Sequence, residues 1–299
     1  MKRAVSISIG GSKRNKTVQV ELMGEQVIIE RIGTDGDMEK AAQLYKELDG
    51  KVDAFGVGGA DLGFQLENKY YPLYGAQKLV RFIQKTPVVD GQGLKNTLEK
   101  RIGPFIVQRL GDYIKERKAF IVSGADRWGF SKSMLDAGFE VVFGDIMFGL
   151  GLPIPIRGEK NVKRAAALIM PIAGRLPFEW LYPTGEKQEK RVPKYEKYYQ
   201  WATVVGGDNI YIMRHMPDRL DGKVIATNTT TPEDIENFRK AGVKYLVTGT
   251  PLIQGRTFGT NMMEAALIAV SGKGRKLSLE ELDQMLDQLG FEPQLQELN

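Results

Sequence analysis

The sequence predicts a two-part α/β fold: an N-terminal α/β substrate-type domain over residues 1–110 and a Rossmann-like parallel-sheet domain over 111–272. The second part carries a basic helical insertion at about 146–200, and residues 273–299 form a C-terminal helix. Three observations predict this. Strand-period and helix-period stretches alternate along most of the 299 residues. From Lys118, a strand, a glycine-bearing turn, a helix and a second strand follow within about 30 residues, the size of one βαβ unit. Apolar residues at 42% and charged residues at 26% are globular values that support a core rather than disorder.

Taken in order, Ala4 to Ile9 alternates as a first strand, and Thr17–Leu22 with Gln26–Ile32 reads as a hairpin turning at Met23-Gly24-Glu25. Met38 to Leu48 carries a helical apolar stripe closed by Asp49-Gly50, and Val52–Val57 is a short apolar strand. A helix over Gly75–Gln84, a strand at Pro87–Val89 and a helix over Leu94–Leu110 complete the first part. The second part opens with strand Lys118–Val122, helix Phe130–Ala137 and strand Phe139–Phe143, a crossover whose usual right hand gives a parallel sheet. Strands at Ala202–Val205, Lys223–Thr227 and Lys244–Thr248 continue it. Thr231-Pro232-Glu233-Asp234 starts a helix with proline in its first turn and acids beside it. Gly259–Val270 is an apolar helix, and Ser278-Leu-Glu-Glu is a capping-box start for the last one. Prolines at 153, 155, 171, 177, 183 and 193 mark the insertion, within which Val162–Ile172 is a basic amphipathic helix.

Composition narrows the function classes. There is no cysteine, which removes disulfides, thiolate metal sites and cysteine nucleophiles, and His215 is the only histidine. Zinc sites and Ser-His-Asp hydrolysis would rest on that one ring, whose bland role is a half-buried side chain and whose sharper role is a general acid. No apolar run is long enough to span a membrane and the N-terminus lacks a signal-peptide pattern, so the cytoplasm is the expected location. The net charge of +5 equals the balance of ten basic and five acidic residues from Arg157 to Lys197. The remainder is neutral, so no nucleic-acid footprint is expected. The insertion reads as a packed, solvated helical excursion. Its aromatic residues also suit a lid or a membrane-surface or assembly contact, and homo-oligomerisation stays open.

Ser123-Gly124-Ala125-Asp126-Arg127-Trp128-Gly129 is the phosphate-site candidate, because a glycine lets backbone approach a pyrophosphate and the next helix start presents free amides. It departs from G-x-G-x-x-G at Asp126. Arg127 would assist a phosphate that Asp126 would repel. Asp145 ends the next strand 21 residues after Gly124, where an acid binds a ribose hydroxyl and favours NAD over NADP. Its plainer role is a turn or capping aspartate. Thr227, Asn228 and Thr229 follow a strand and suit contacts to a ribose or nicotinamide, although Thr230 or Thr231 would serve equally as a helix cap.

The run Asp90-Gly91-Gln92-Gly93-Leu94, with Leu98-Glu99 after it, resembles the segment joining the two domains of the shikimate and quinate dehydrogenases. Gly255-Arg256-Thr257-Phe258-Gly259-Thr260-Asn261-Met262-Met263-Glu264-Ala265 resembles that family's late substrate-contacting helix, and Ser12-Lys13 after the first strand its substrate-binding serines. The resemblance implies an NAD(P)-dependent oxidoreductase of a small polyhydroxylated carboxylic acid, with Asp90 on a substrate hydroxyl beside a catalytic lysine. The family's lysine position falls after Phe55-Gly56-Val57-Gly58-Gly59-Ala60-Asp61-Leu62, where no lysine stands. Lys95, one turn beyond Asp90, or Lys69 would have to replace it, and Asp61 would pair with Asp90 to hold a polyol. Substrate contacts then fall to Ser12, Asp61 and Asn261. The alternative is a non-catalytic nucleotide- or metabolite-binding protein that has lost the lysine.

Overall fold

The computed structural model describes residues 1–181, 191–250 and 258–299. The chain forms two compact α/β units. One comprises Met1–Thr97, Ile169–Lys187 and Leu252–Phe291; the other comprises Leu98–Leu168, Gln188–Pro251 and Glu292–Asn299.

In the first unit, β1 (Lys2–Ser8), β2 (Lys16–Leu22), β3 (Glu25–Gly33), β4 (Ala54–Gly58) and the short β7 (Val88–Val89) form one sheet in the order β2-β3-β1-β4-β7. A separate hairpin pairs β5 (Gly63–Leu66) with β6 (Lys69–Pro72). β3, β1, β4 and β7 run parallel, and β2 returns antiparallel on β3. The β2–β3 turn uses left-handed backbone at Met23 and Gly24, which matches strand twist. β4 is buried along its whole length, and β2 alternates, burying Val18, Val20 and Leu22. Those patterns separate a central parallel strand from a half-exposed edge. The helix Met38–Leu48 is capped by Asp37 and sends Tyr45 into the core, where its hydroxyl donates to the Ile7 and Gly56 carbonyls. The helix Thr260–Ser271, apolar nearly all round, packs on β1, β3 and β4.

Two helices expected from periodicity are shorter here. The one placed at Gly75–Gln84 comprises only Tyr74–Gln77 and a 3-10 turn at Lys78–Val80. The Asp49 carboxylate draws the amides of Gln84, Lys85 and Thr86 away from helical pairing. The one placed at Leu94–Leu110 breaks at Thr97 into Gln92–Asn96, a 3-10 turn at Glu99–Arg101, and Ile102–Leu110. Pro104 has no amide hydrogen to give to an upstream carbonyl, so it is tolerated only because the last helix starts at Ile102.

The second unit holds β8 (Lys118–Ile121), β9 (Glu140–Phe143), β10 (Ile156–Arg157), β11 (Val204–Gly207), β12 (Val224–Thr227), β13 (Tyr245–Thr248) and β14 (Gln294–Glu297). Their order is β10-β9-β8-β11-β12-β13-β14, parallel except at the two edges. From β8 the chain moves outward to β9 and β10, then crosses back to β11. The carboxyl ends of β8 and β11 therefore flank a topological switch point, the place where doubly wound sheets bind ligands. Phe120, Val142, Val205, Ile225 and Leu246 anchor the core. In the insertion, the helix Glu159–Ala173 buries Val162, Ala166 and Met170 at helical spacing. No helix among the described residues is long and apolar enough to cross a membrane.

The chain after 273 is not helical throughout. The helix Leu279–Gln288 carries the expected Ser278–Glu281 capping box, but Gln294–Glu297 then pairs antiparallel with β13 and satisfies an otherwise open sheet edge.

Candidate functional site

Parallel strands of one sheet deliver their following loops to a common edge. In the first unit these are the residues after Ser8, Gly33, Gly58 and Val89. Lys95, in the short helix after the β7 loop, is 4% exposed and turns back so that its ammonium lies 2.6 Å from Asp61 Oδ1. Asp90 Oδ2 accepts the Leu62 amide at 2.6 Å, which fixes the β4 loop and the β7 loop to one another. The Tyr70 hydroxyl is pushed up to about 12 by burial, then by the charges of Asp90 and Asp61. Lys95, Asp61 and Asp90 thus share one edge. Lys69 does not join them. It opens β6, is exposed, and lies 5.1 Å over the Tyr71 ring, with no hydrogen bond or ion pair to the three among the described residues.

The backbone beneath this cluster is held by a residue to which the sequence reading gave no role of its own. Glu264, in the apolar helix Thr260–Ser271, is 5% exposed and accepts the Gly93 amide at 3.0 Å and the Leu94 amide at 3.4 Å. Burial, then the charge of Asp90, pushes its pKa up to about 8 against those hydrogen bonds. Two glycines are required here. Gly91 has φ +96 and a Cβ there would lie 2.5 Å from Thr260 Oγ1; a Cβ at Gly93 would lie 2.6 Å from Glu264 Oε1. Asn261 donates to Ser6 Oγ at 2.7 Å, and the Ser12 amide donates to Asp35 Oδ1 at 2.7 Å. Residues 255–257 of the motif that includes Asn261 lie outside the described residues, as do Tyr182 and Pro183 of the insertion.

In the second unit, the turn after β8 reaches the switch point. Gly124 and Ala125 give their amides to Asp145, at 3.1 and 2.7 Å. Burial, in spite of those amides, raises the Asp145 carboxyl to about 6. Ser123 Oγ accepts the Asp208 amide. The guanidinium of Arg127 is committed elsewhere: it is 4% exposed and ion-paired with Glu99 and with Asp208. These partners hold its pKa above the ordinary arginine value although burial opposes them. Its Nε finds no hydrogen-bond partner among the described residues; an Asp126 carboxylate oxygen lies 3.9 Å from it. Thr227 is buried and donates to the Gly207 carbonyl, Asn228 donates to Asp208 and accepts the Asn209 amide, and Thr229 lies partly exposed beside them. Thr231, not Thr230, caps the following helix in a full capping box.

Tested against a nicotinamide dinucleotide, these residues fit one end. Asp145 is half-buried, oriented by two amides, and has lone pairs left for sugar hydroxyls. For the pyrophosphate, Arg127 has no free fork to offer, and Asp126 stands where the fingerprint has glycine. His215 is buried, donates from Nδ1 to the Val192 carbonyl, and stacks on Phe148; burial lowers its pKa. No cluster able to hold a metal ion occurs among the described residues.

Glu99 and Glu264 stood in the sequence only inside longer runs, Glu264 as the lone acid in Met262–Val270, and Asp208 was not singled out; none of the three was given a role there.

A family model described as Domain of unknown function (DUF8754) matches residues 93–298, and one described as Domain of unknown function (DUF8753) matches residues 3–90. No curated protein matches the chain. Similar solved structures include an NAD-dependent malic enzyme from Thermotoga maritima (14% identity, TM-score 0.38, covering 94% of this chain and 75% of that one). A glucose-galactose binding protein from Geobacillus stearothermophilus shares 11% identity at TM-score 0.39, with 99% and 97% covered. A Mycobacterium smegmatis protein in complex with β-D-fucofuranose shares 12% at 0.36, with 93% and 88% covered. Likenesses this faint carry no argument about activity.

Proposed function

We propose that this chain, which belongs to the DUF8754 family, is an NAD(P)-dependent oxidoreductase of a small polyhydroxylated carboxylic acid, quinate- or shikimate-like, with Lys95 as its proton-transfer group. The observation that carries this is the shielded Lys95–Asp61 pair, 2.6 Å apart, on the sheet edge that also presents Asp90. An amine screened from water and steadied by a carboxylate is suited to exchange a proton with a substrate hydroxyl, which a lone aspartate at its ordinary pKa is not. The acid and the amine are exchanged relative to the dehydrogenases that the sequence resembles: here the β4 loop gives the acid, Asp61, and the β7 segment gives the lysine. Asp90, fixed by the Leu62 amide, keeps one oxygen directed to the Gln92 amide and is the hydroxyl ligand of this scheme.

NAD, when bound, would supply the hydride acceptor. Asp145 would hold its ribose hydroxyls and disfavour the extra phosphate of NADP, with Ser123, Gly124 and the Thr227–Thr229 segment around it. The test is a thermal shift with NAD and with NADP, followed by turnover on a panel of cyclic polyhydroxy acids. NAD is expected to raise the melting temperature more than NADP does. Lys95→Met is expected to abolish turnover while the NAD shift survives. No shift with either dinucleotide at millimolar concentration, and no turnover, would refute the proposal.

The locked guanidinium of Arg127 and the carboxylate of Asp126 favour one second reading, a metabolite-binding protein without redox chemistry. It predicts stabilisation by polyhydroxy acids and none by nicotinamide dinucleotides.

A further inference from the structure

β3 sends one arginine to the same sheet edge. Arg31 stands in register with Ser6 of β1 and is half-buried. Its guanidinium donates to Ser8 Oγ at 3.0 Å and to the Gly11 carbonyl at 3.0 Å. Both acceptors are neutral. Among the described residues no carboxylate lies within ion-pair distance of it, whereas the other two buried cations of the candidate sites, Lys95 and Arg127, each have one. Asp35, whose charge acts on Arg31, already accepts the Ser12 amide. Burial, then the charge of Arg14, lowers the pKa of Arg31, and Asp35 opposes this less strongly. A partly desolvated cation whose hydrogen bonds go to neutral acceptors, with no carboxylate at ion-pair distance among the described residues, is a position that an external anion stabilises.

Ser8 ties this position to the Lys95 cluster. The end of β4 packs so closely on it that a Cβ at Gly58 would lie 2.9 Å from Ser8 Oγ, and Asp61 follows three residues later. We propose that Arg31, assisted by the Ser8 hydroxyl, is the anchor for the carboxylate of the ligand whose hydroxyl Lys95 serves, so that this edge selects an organic acid over a neutral polyol. This rests on the reading given under Proposed function and assigns its specificity. The bland alternative is that Arg31 only tethers the Gly10–Ser12 loop.

The full chain is titrated by calorimetry with quinate and with its uncharged methyl ester. The wild type is expected to bind the acid at least about tenfold more tightly, the worth of one charge-assisted contact. Arg31→Met should reduce that preference to about twofold or less, and Arg31→Lys should retain part of it. Ser8→Ala keeps the Arg31 bond to the Gly11 carbonyl but also removes the acceptor of the Gly10 amide, so it is read by the acid-to-ester ratio: the acid should weaken several-fold and the ester little, whereas an equal loss for both would mark a loop effect and count against the anchor. Equal wild-type affinity for acid and ester, or a preference that survives Arg31→Met, overturns the anchor while leaving the Lys95 site standing. Binding of neither compound defeats the parent proposal together with this one.

Discussion

Replacing Glu264 with glutamine should remove a loss of stability that the wild type suffers as the pH rises. Glu264 is nearly inaccessible, and its pKa is pushed from the usual 4.5 up to about 8 by burial and then by Asp90. A carboxyl whose pKa is raised on folding binds its proton more tightly in the native state. Its contribution is therefore complete below pH 4.5 and is lost as the pH rises through about 8. At about 1.36 kcal/mol per pH unit, the shift corresponds to about 5 kcal/mol, an upper bound because local opening admits water. Glutamine cannot ionise but keeps an oxygen for the Gly93 and Leu94 amides. Wild type and Glu264→Gln should therefore melt alike near pH 5, and the variant should be the more stable by a few kcal/mol near pH 9. The assay is melting temperature or urea midpoint across that range, read by tryptophan fluorescence and circular dichroism. Parallel profiles for the two proteins from pH 5 to 9 would show that Glu264 is ionised throughout, and the argument from its burial would be wrong.

Other consequences are as specific. Arg127→Met removes a guanidinium that two carboxylates share in a buried setting, and should lower stability by about 3–5 kcal/mol, measured by chemical denaturation. A loss below about 1 kcal/mol would mean that the network is weaker than its geometry suggests. Gly91→Ala places a methyl against Thr260 at a left-handed backbone position, and should cost about 1–3 kcal/mol and loosen the Asp90–Lys95 segment, seen as faster amide exchange there. Thr231→Ala breaks a capping box at an exposed helix start, with an expected loss of about 1 kcal/mol; an unchanged urea midpoint would contradict it.

What the sequence disclosed depended on the range over which each signal acts. Helix starts were legible because a cap needs only three or four neighbours: Thr231 and Ser278 both cap where local chemistry places them. The β2–β3 hairpin and the β8–β9 crossover were legible for the same reason. The β5–β6 hairpin and β14 were not, because short polar strands of four residues have no periodicity and form only against an existing edge or partner. Site residues follow the same division. Asp90 and Lys95 share one turn of chain, so their proximity could be inferred, yet the partner of Lys95 comes from Asp61, 34 residues earlier, and only the parallel register of β4 and β7 brings it there.

Long-range partners also explain why Arg127 and Asp145 were hard to weigh. Read alone, the turn Ser123–Gly129 presents an arginine and free amides to an anion. In the folded unit Glu99 and Asp208, 28 and 81 residues away, take the arginine, and Asp145 takes two of the amides. Opposite charges that lie apart in sequence satisfy one another before any ligand arrives. Arg31, a half-buried cation with no carboxylate at ion-pair distance among the described residues, lies in a strand where nothing local distinguishes it from a solvated arginine. Burial together with an unmatched charge, and not a motif, marks the position where an external anion has most to contribute.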